Sequence, residues 1–202
     1  MPGTVEFYFD YGSPNAYLAH VRLPAIRQRA EARVEYRIML LGGVFQATGN
    51  ASPAANKLKW PNAQRDLQRF VGKYRVPFRR NPHFPVNTLK LMRGAVVAEE
   101  EGFLDRYGDL MFQGMWRDAL KLDEDEIFAG VLRQGGLDDR HVFARIGEDG
   151  VKAKLKSYTE AAVKRGVFGA PTFFVGAEMF FGQDRLDFVE DALMGRTYPG
   201  AA

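Results

Sequence analysis

Near the start of the chain, apolar residues alternate with others. Val5, Phe7 and Phe9 fall on one side of a period-2 pattern, which predicts a β-strand. Gly12-Ser13-Pro14 then reads as a helix start. Serine is a good N-cap, and proline suits the first helical position because an N–H there has no intrahelical partner. Leu18, Val21 and Ala25 recur at helical spacing, with Pro24 expected to kink the helix. Val34, Tyr36, Ile38 and Leu40 alternate as a second strand, so the chain opens strand–helix–strand. Near the other end, Thr172–Val175 and Glu178–Phe181 are β-rich runs separated by Gly176-Ala177, a hairpin signal. Leu186, Val189 and Leu193 predict a closing amphipathic helix that stops near Gly195.

From Ala54 to Lys164 the period changes to that of helices. Leu67, Phe70, Val71 and Tyr74 form one stripe, Leu89, Met92, Val96 and Val97 a second, and Leu110, Met111, Met115 and Trp116 a third. Asp123 with Glu126 reads as a capping box ahead of Ile127, Val131 and Leu132. Further helices are expected near Arg140–Ile146 and Val151–Lys164, and the acidic run Glu99–Glu101 reads as a solvated face. The order is βαβ, helices, ββα. It predicts an α/β protein: a thioredoxin-like domain of residues 1–53 and 165–202, carrying an all-helical insertion of residues 54–164.

Composition narrows the chemistry. With 46% hydrophobic residues and sixteen Phe in 202, the chain is globular stock rather than disordered. It contains no cysteine, which excludes disulfides, thiolate metal sites, iron–sulfur clusters and CxxC redox chemistry together. The histidines at 20, 83 and 141 lack ligand spacing, so no metal is expected. A formal charge of +3 is too small and scattered to call for nucleic acid, and Lys73–Arg80 reads as a solvated helix end and loop. No apolar run approaches the roughly 20 residues of a membrane-spanning helix, and no secretory pattern precedes the first strand. The expectation is a cytoplasmic protein without membrane or nucleic-acid partners.

Three places carry candidate chemistry. At Ser13-Pro14-Asn15-Ala16, where redox relatives of this topology carry CxxC, a serine hydroxyl stands instead. It cannot exchange disulfides, but beside a helix N-terminus it can donate to an external thiolate. Gly169-Ala170-Pro171-Thr172 fits a cis proline before a strand, which would present the Ala170 backbone to a peptide-like ligand. Gly182-Gln183-Asp184-Arg185 opens the last helix, with free N–H groups for a carboxylate and Asp184 for an ammonium group. A thiol, a peptide unit and an amino-acid terminus together describe glutathione. Trp60 and Trp116 read as core residues or as walls of an aromatic pocket, and Tyr17 as a ring that core or site could use.

FYFDYGSPNAYLA, LLGGVFQATGN, NKLKW, DLQRF and GVFGAPTFFVGAEMFFGQDRL carry a resemblance over nearly the whole chain. The sequence resembles the 2-hydroxychromene-2-carboxylate isomerases, relatives of the kappa-class glutathione transferases and DsbA-like oxidoreductases. That resemblance implies a homodimeric, glutathione-dependent isomerase of an aromatic 2-oxo or hemiketal carboxylate. It implies that Ser13 contacts the glutathione sulfur as the catalytic residue. Asn50, Ala170, Pro171, Gln183 and Asp184 would contact the rest of glutathione, and Asn56 and Lys57 the substrate. One departure stands out: the family's substrate-contacting lysine falls at Phe45, and Leu40–Asn50 holds no basic residue. Lys57, Lys59 and Arg80 are the candidates to replace it. Two other readings stay open, a kappa-like transferase that consumes glutathione and a non-catalytic peptide-binding module using Phe173, Phe180 and Phe181.

Overall fold

The computed structural model describes residues 3–196 and Tyr198. In chain order its elements are β1 (Thr4–Phe9), α1 (Pro14–Arg29), β2 (Arg33–Ile38), α2 (Leu41–Thr48), a 3-10 turn at Pro53–Ala55, α3 (Lys59–Tyr74), α4 (Leu89–Glu100) and α5 (Leu104–Trp116). Then come α6 (Asp125–Gln134), α7 (Asp139–Ile146), α8 (Asp149–Lys164), β3 (Thr172–Val175), β4 (Glu178–Phe181), a 3-10 turn at Gln183–Arg185 and α9 (Leu186–Leu193).

The four strands order β2-β1-β3-β4. β1 runs parallel to β2, with Thr4 opposite Arg33 and Phe9 opposite Ile38, and α1 supplies the crossover that parallel neighbours require. β3 pairs antiparallel with β1 (Phe7 opposite Phe173) and β4 antiparallel with β3. This is the thioredoxin-like fold with a helical insertion.

The period-2 pattern sorts the sheet's two faces. Val5, Phe7, Phe9 and Phe173 are completely buried with Leu23 and Ile26 of α1, Phe112 of α5, and Leu186 and Val189 of α9. Phe7 stacks on Phe173 with ring centroids 5.3 Å apart. Burial of each such ring contributes roughly 1.5–3 kcal/mol. Tyr8 and Phe174 point to the other face, under Val44 of α2 and Ala162 of α8. β1 is therefore covered on both sides, and the reactive corner after it rests on a rigid strand.

Several local expectations change. In α1 the buried residues are Ala16–Ala19, Leu23 and Ile26, whereas Val21 and Ala25 look outward. The α3–α5 block packs beside the sheet, so the buried arc at the start of α1 is wider than one stripe. Pro24 lies within α1, which continues to Arg29. β2 ends at Ile38, and Leu40 is the N-cap of α2, a helix with no clear sequence signal. Gly42 and Gly43 are poor helix formers and Val44 is its one buried residue. α2 is held from outside: the Leu41 N–H donates to Asp10 Oδ2 at 2.8 Å and the Leu40 N–H to Thr159 Oγ1 at 2.9 Å.

The capping box at Asp123 does not form, since α6 starts at Asp125 with Glu124 as N-cap. Lys90 donates to the Asp123 carbonyl and pairs with Asp125, drawing this segment onto α4. Glu99–Glu101 is a clasp rather than a free face: Glu99 accepts from Tyr158, Glu100 pairs with Lys154 and Arg145, and Glu101 with His141 and Arg145. Among the described residues, no helix is long and apolar enough to cross a membrane, and no group of three or more His, Asp or Glu could hold a metal ion.

Candidate active site

Ser13 sits at the N-cap of α1 in extended conformation (φ −96°, ψ 115°), only 5% exposed. Its hydroxyl oxygen accepts the Ala16 N–H at 3.2 Å and donates its own hydrogen to the Ala170 carbonyl at 3.0 Å. Pro14 at the first helical position has no N–H, and Ala16's is occupied, which leaves the Asn15 N–H and the helix dipole facing the corner. The Ala170–Pro171 peptide bond is cis. The serine and the cis-proline loop, 157 residues apart in sequence, are thus one site.

Asp10 frames that corner, a residue the sequence reasoning passed over. Its carboxylate is buried and accepts N–H groups from Gly12 and Leu41, each at 2.8 Å, while its carbonyl accepts from Ser13 at 3.1 Å. Burial pushes its pKa up, and the hydrogen bonds from Gly12, Leu41 and Thr88 work against that shift. An aspartate between a strand and Gly-Ser-Pro is an Asx-turn signal that could have marked it. A Cβ on Gly12 would stand 3.1 Å from the Thr88 side chain, so the loop also packs closely against the start of α4.

Asn50 and Gly182 are hydrogen-bonded to the cis-proline loop. Asn50 Nδ2 donates to the Phe168 carbonyl at 2.8 Å, and the Gly182 N–H donates to the Pro171 carbonyl at 2.9 Å. Gly182 has φ 101°, a conformation that favours glycine. Gln183 is 3% exposed, and its Oε1 is buried without a donor. Asp184 is exposed and paired with Arg185 at 2.7 Å. Ser13 and Asn50 are thus bonded to the loop that holds Ala170 and Pro171, and Gln183 and Asp184 directly follow Gly182, which is bonded to it too. A hydroxyl at a helix N-terminus, an accessible peptide unit, an orphaned buried acceptor and a carboxylate are the groups a thiol-bearing peptide requires, so the residues present fit glutathione.

Asn56 and Lys57 stand apart. Asn56 Oδ1 accepts the N–H groups of Leu58 and Lys59 at 2.9 and 3.1 Å, which caps the start of α3, and Lys57 is exposed. Among the described residues, no hydrogen bond joins either of them to the Ser13 cluster. Phe45 is half-buried on α2. The tryptophans divide. Trp116 is core, its ring stacked on Phe78 and its Nε1 donating to the Tyr11 carbonyl at 2.7 Å. Trp60 lines a cavity of about 540 Å³ with Ala54, Arg80, Asn81, Phe84 and Pro85. Tyr17 is core too, its hydroxyl donating to the Pro77 carbonyl at 2.6 Å. A second depression of about 460 Å³ lies between α1, β2 and α5 around His20, and neither it nor the Trp60 cavity is lined by any of the Ser13 cluster. Of the aromatics invoked for peptide binding, Phe173 is buried and Phe180 half-buried; Phe181 is exposed, its ring over Gly169.

Comparison with known proteins agrees with this geometry. Residues 4–194 match the DSBA-like thioredoxin domain family. A 2-hydroxychromene-2-carboxylate isomerase from Pseudomonas sp. (strain C18) is 32% identical over 97% of this chain and 92% of its own length. Glutathione S-transferase kappa 1 from Rattus norvegicus is 24% identical, covering 98% of this chain and 94% of its own. A solved structure of 2-hydroxychromene-2-carboxylate isomerase superposes with a TM-score of 0.85 at 30% identity over 94% of each chain. With the fold, the cysteine-free corner and these relatives in agreement, the chain belongs to the DsbA-like thioredoxin family, in its 2-hydroxychromene-2-carboxylate isomerase branch.

Proposed function

We propose that this protein is a glutathione-dependent cis–trans isomerase of an aromatic 2-oxo or hemiketal carboxylate. The observation that carries the reading is the Ser13 hydroxyl at the α1 N-terminus, bonded to the carbonyl before a cis proline in a chain without cysteine. When bound, glutathione supplies a thiolate that adds reversibly to the conjugated side chain and is regenerated after bond rotation.

The chain's own residues prepare that chemistry. In the resting protein the Ser13 hydrogen is given to Ala170. A peptide N–H that takes the Ala170 carbonyl lets this hydrogen turn toward the sulfur, where it and the α1 N-terminus favour the ionised form. Asp10 holds the Gly12–Ser13 backbone in place, and Asn50 braces the loop at Phe168. Gln183 offers its unpartnered Oε1, and Asp184 its carboxylate, to the amino-acid end of the peptide. Asn56 and Lys57, on the turn ahead of α3, are the residues this reading gives to the substrate, although no hydrogen bond joins them to the Ser13 cluster among the described residues.

Titration of reduced glutathione into the protein near neutral pH tests the reading. Ultraviolet thiolate absorbance should grow with protein and fade in Ser13→Ala; no band and no binding would sink it. The rat kappa-class relative favours a second reading, in which glutathione is consumed by conjugation. Product mass separates them, because isomerisation leaves substrate mass unchanged and conjugation adds glutathione permanently.

A further inference from the structure

α2 is a helix of eight residues whose own sequence supports it poorly. Gly42 and Gly43 weaken it, Leu40 offers no side-chain cap, and Val44 is its one buried residue. A helix this short is marginal in water without outside contacts. Two distant segments hold its start. The Leu41 N–H donates to Asp10 Oδ2 at 2.8 Å, and the Leu40 N–H donates to Thr159 Oγ1 at 2.9 Å. Thr159 lies 119 residues further along, buried on α8. Its hydroxyl hydrogen goes to the Leu155 carbonyl at 2.8 Å, which leaves a lone pair for Leu40. A Cβ on Gly43 would stand 3.1 Å from the Thr159 methyl, so α2 lies directly against this threonine.

The far end of α2 meets the thiol site. Gly49, at φ 70°, closes the helix, and Asn50 follows with its Nδ2 on the Phe168 carbonyl, just before Ala170. α2 therefore runs from Asp10, which frames the Ser13 corner, to the loop of the cis proline. Val44 packs with Ala162 and Val167, so α8 and the chain after it carry the underside of the helix. Ser13 is held independently of α2: its N–H donates to the Asp10 carbonyl and its hydroxyl to Ala170. The order of α2 thus bears on Asn50 and leaves the donor to the sulfur in place.

We propose that Thr159 is a positioning residue for glutathione: by holding the start of α2 it delivers Asn50 to the cis-proline loop, and so sets glutathione affinity from outside the Ser13 cluster. The inference deepens the glutathione reading and rests on it. Where a binding-competent arrangement is formed in only a fraction of molecules, apparent affinity falls in proportion to that fraction. Removing the Leu40 bond from so weak a helix shifts its equilibrium by roughly 2- to 12-fold, the range of one net hydrogen bond.

The test combines calorimetric binding of reduced glutathione, thiolate absorbance at saturation and amide hydrogen exchange, all on the full chain. Thr159→Val, which keeps the shape and loses the acceptor, should weaken glutathione binding about 3- to 10-fold. Exchange in α2 should quicken, while the pKa of the bound thiol stays as in the wild type. Thr159→Ser should bind nearly as the wild type does. A Cβ on Gly42 meets nothing within 4 Å, so Gly42→Ala adds helix preference alone and should restore much of the affinity lost in Thr159→Val. Ala47→Gly, at an exposed position of α2, disturbs no buried contact and should weaken binding about 2- to 5-fold, which keeps the test open should Thr159→Val fail to fold. In an Asn50→Ala background Thr159→Val should add nothing further, because both act through one contact. Affinity within about twofold of wild type in both Thr159→Val and Ala47→Gly, a full additional loss in the Asn50→Ala background, or a shifted thiol pKa would each overturn the proposal. Glutathione binding and turnover indifferent to these variants would refute it alone. A wild type that binds no glutathione would refute the glutathione reading and the proposal with it.

Discussion

Replacing Ser13 with alanine removes one oxygen that serves both the fold and the chemistry, and the two costs differ in size. As N-cap it accepts the Ala16 N–H at 3.2 Å, a contact whose loss costs about 1 kcal/mol. For a chain of this length that lowers the melting temperature by roughly 2–4 °C. As a donor to bound thiolate it supplies a charge-assisted hydrogen bond worth roughly 1.5–3 kcal/mol. At 1.36 kcal/mol per unit, its loss raises the bound thiol's pKa by about one to two units. The α1 N-terminus remains in the variant, so some depression survives, on the order of 0.3–1 kcal/mol. Near neutral pH, where the wild-type thiol is already largely ionised, the thiolate fraction, and with it kcat, should fall about 5- to 20-fold. A pH titration of thiolate absorbance at saturating glutathione reads the pKa directly, and the kcat–pH profile should shift with it. Ser13→Thr, which keeps a hydroxyl, should recover most of both. An unchanged thiol pKa in Ser13→Ala, or activity lost only in step with unfolding, would refute the reasoning.

Other outcomes follow from individual contacts. Asn50→Ala frees the Phe168 carbonyl at an exposed position, so glutathione affinity should weaken by up to about tenfold with little change in melting temperature; calorimetry on the variant checks this. In Gly94→Ala the new Cβ would meet the buried Tyr107 ring 2.7 Å away and displace its hydroxyl from the Leu91 carbonyl. Thermal unfolding should show roughly 1–3 kcal/mol of lost stability. The Arg165 guanidinium beside Glu6 holds its carboxyl below the ordinary value of 4.5, and Arg37 adds to that. A carboxyl depressed in the folded state contributes stability above its unfolded pKa and loses it as pH falls through the folded one. In urea titrations Glu6→Gln should therefore be less stable than wild type near pH 7, and the gap should close as pH falls below 4.5 through the lowered folded-state value. A constant gap would contradict the assignment.

Each feature legible in the sequence depends on a few neighbouring residues. Period-2 burial placed Phe7 and Phe9 on one face of β1, and Ser-Pro marked the start of α1. Gly-Ala before the last β-run marked the hairpin, with Gly176 at φ 62°. The Ala-Pro step matched a cis bond. Steric and hydrogen-bond preferences of this kind act within about one helical turn, so the residues themselves state them. The same locality explains the failures. α2 lacks intrinsic helix preference and depends on Asp10 and Thr159. The Asp123 cap was displaced by Lys90 on another helix, and Val21 was turned outward by where α1's neighbours lie.

The sequence by itself determined the order of the strands and of the helices other than α2, and the absence of any thiol of its own. It also marked the segments at Ser13, Ala170 and Gln183 as candidates to meet a thiol peptide. Only the tertiary structure decided that Ser13 Oγ reaches the Ala170 carbonyl and that Asp10 ties the loop to α2. It alone separated Trp116 in the core from Trp60 on a cavity that Arg80 also lines. The physical reason is range. A cap or a strand is made by neighbours in sequence, whereas a site is made by groups that chain folding brings together, and burial decides which of them still face a ligand.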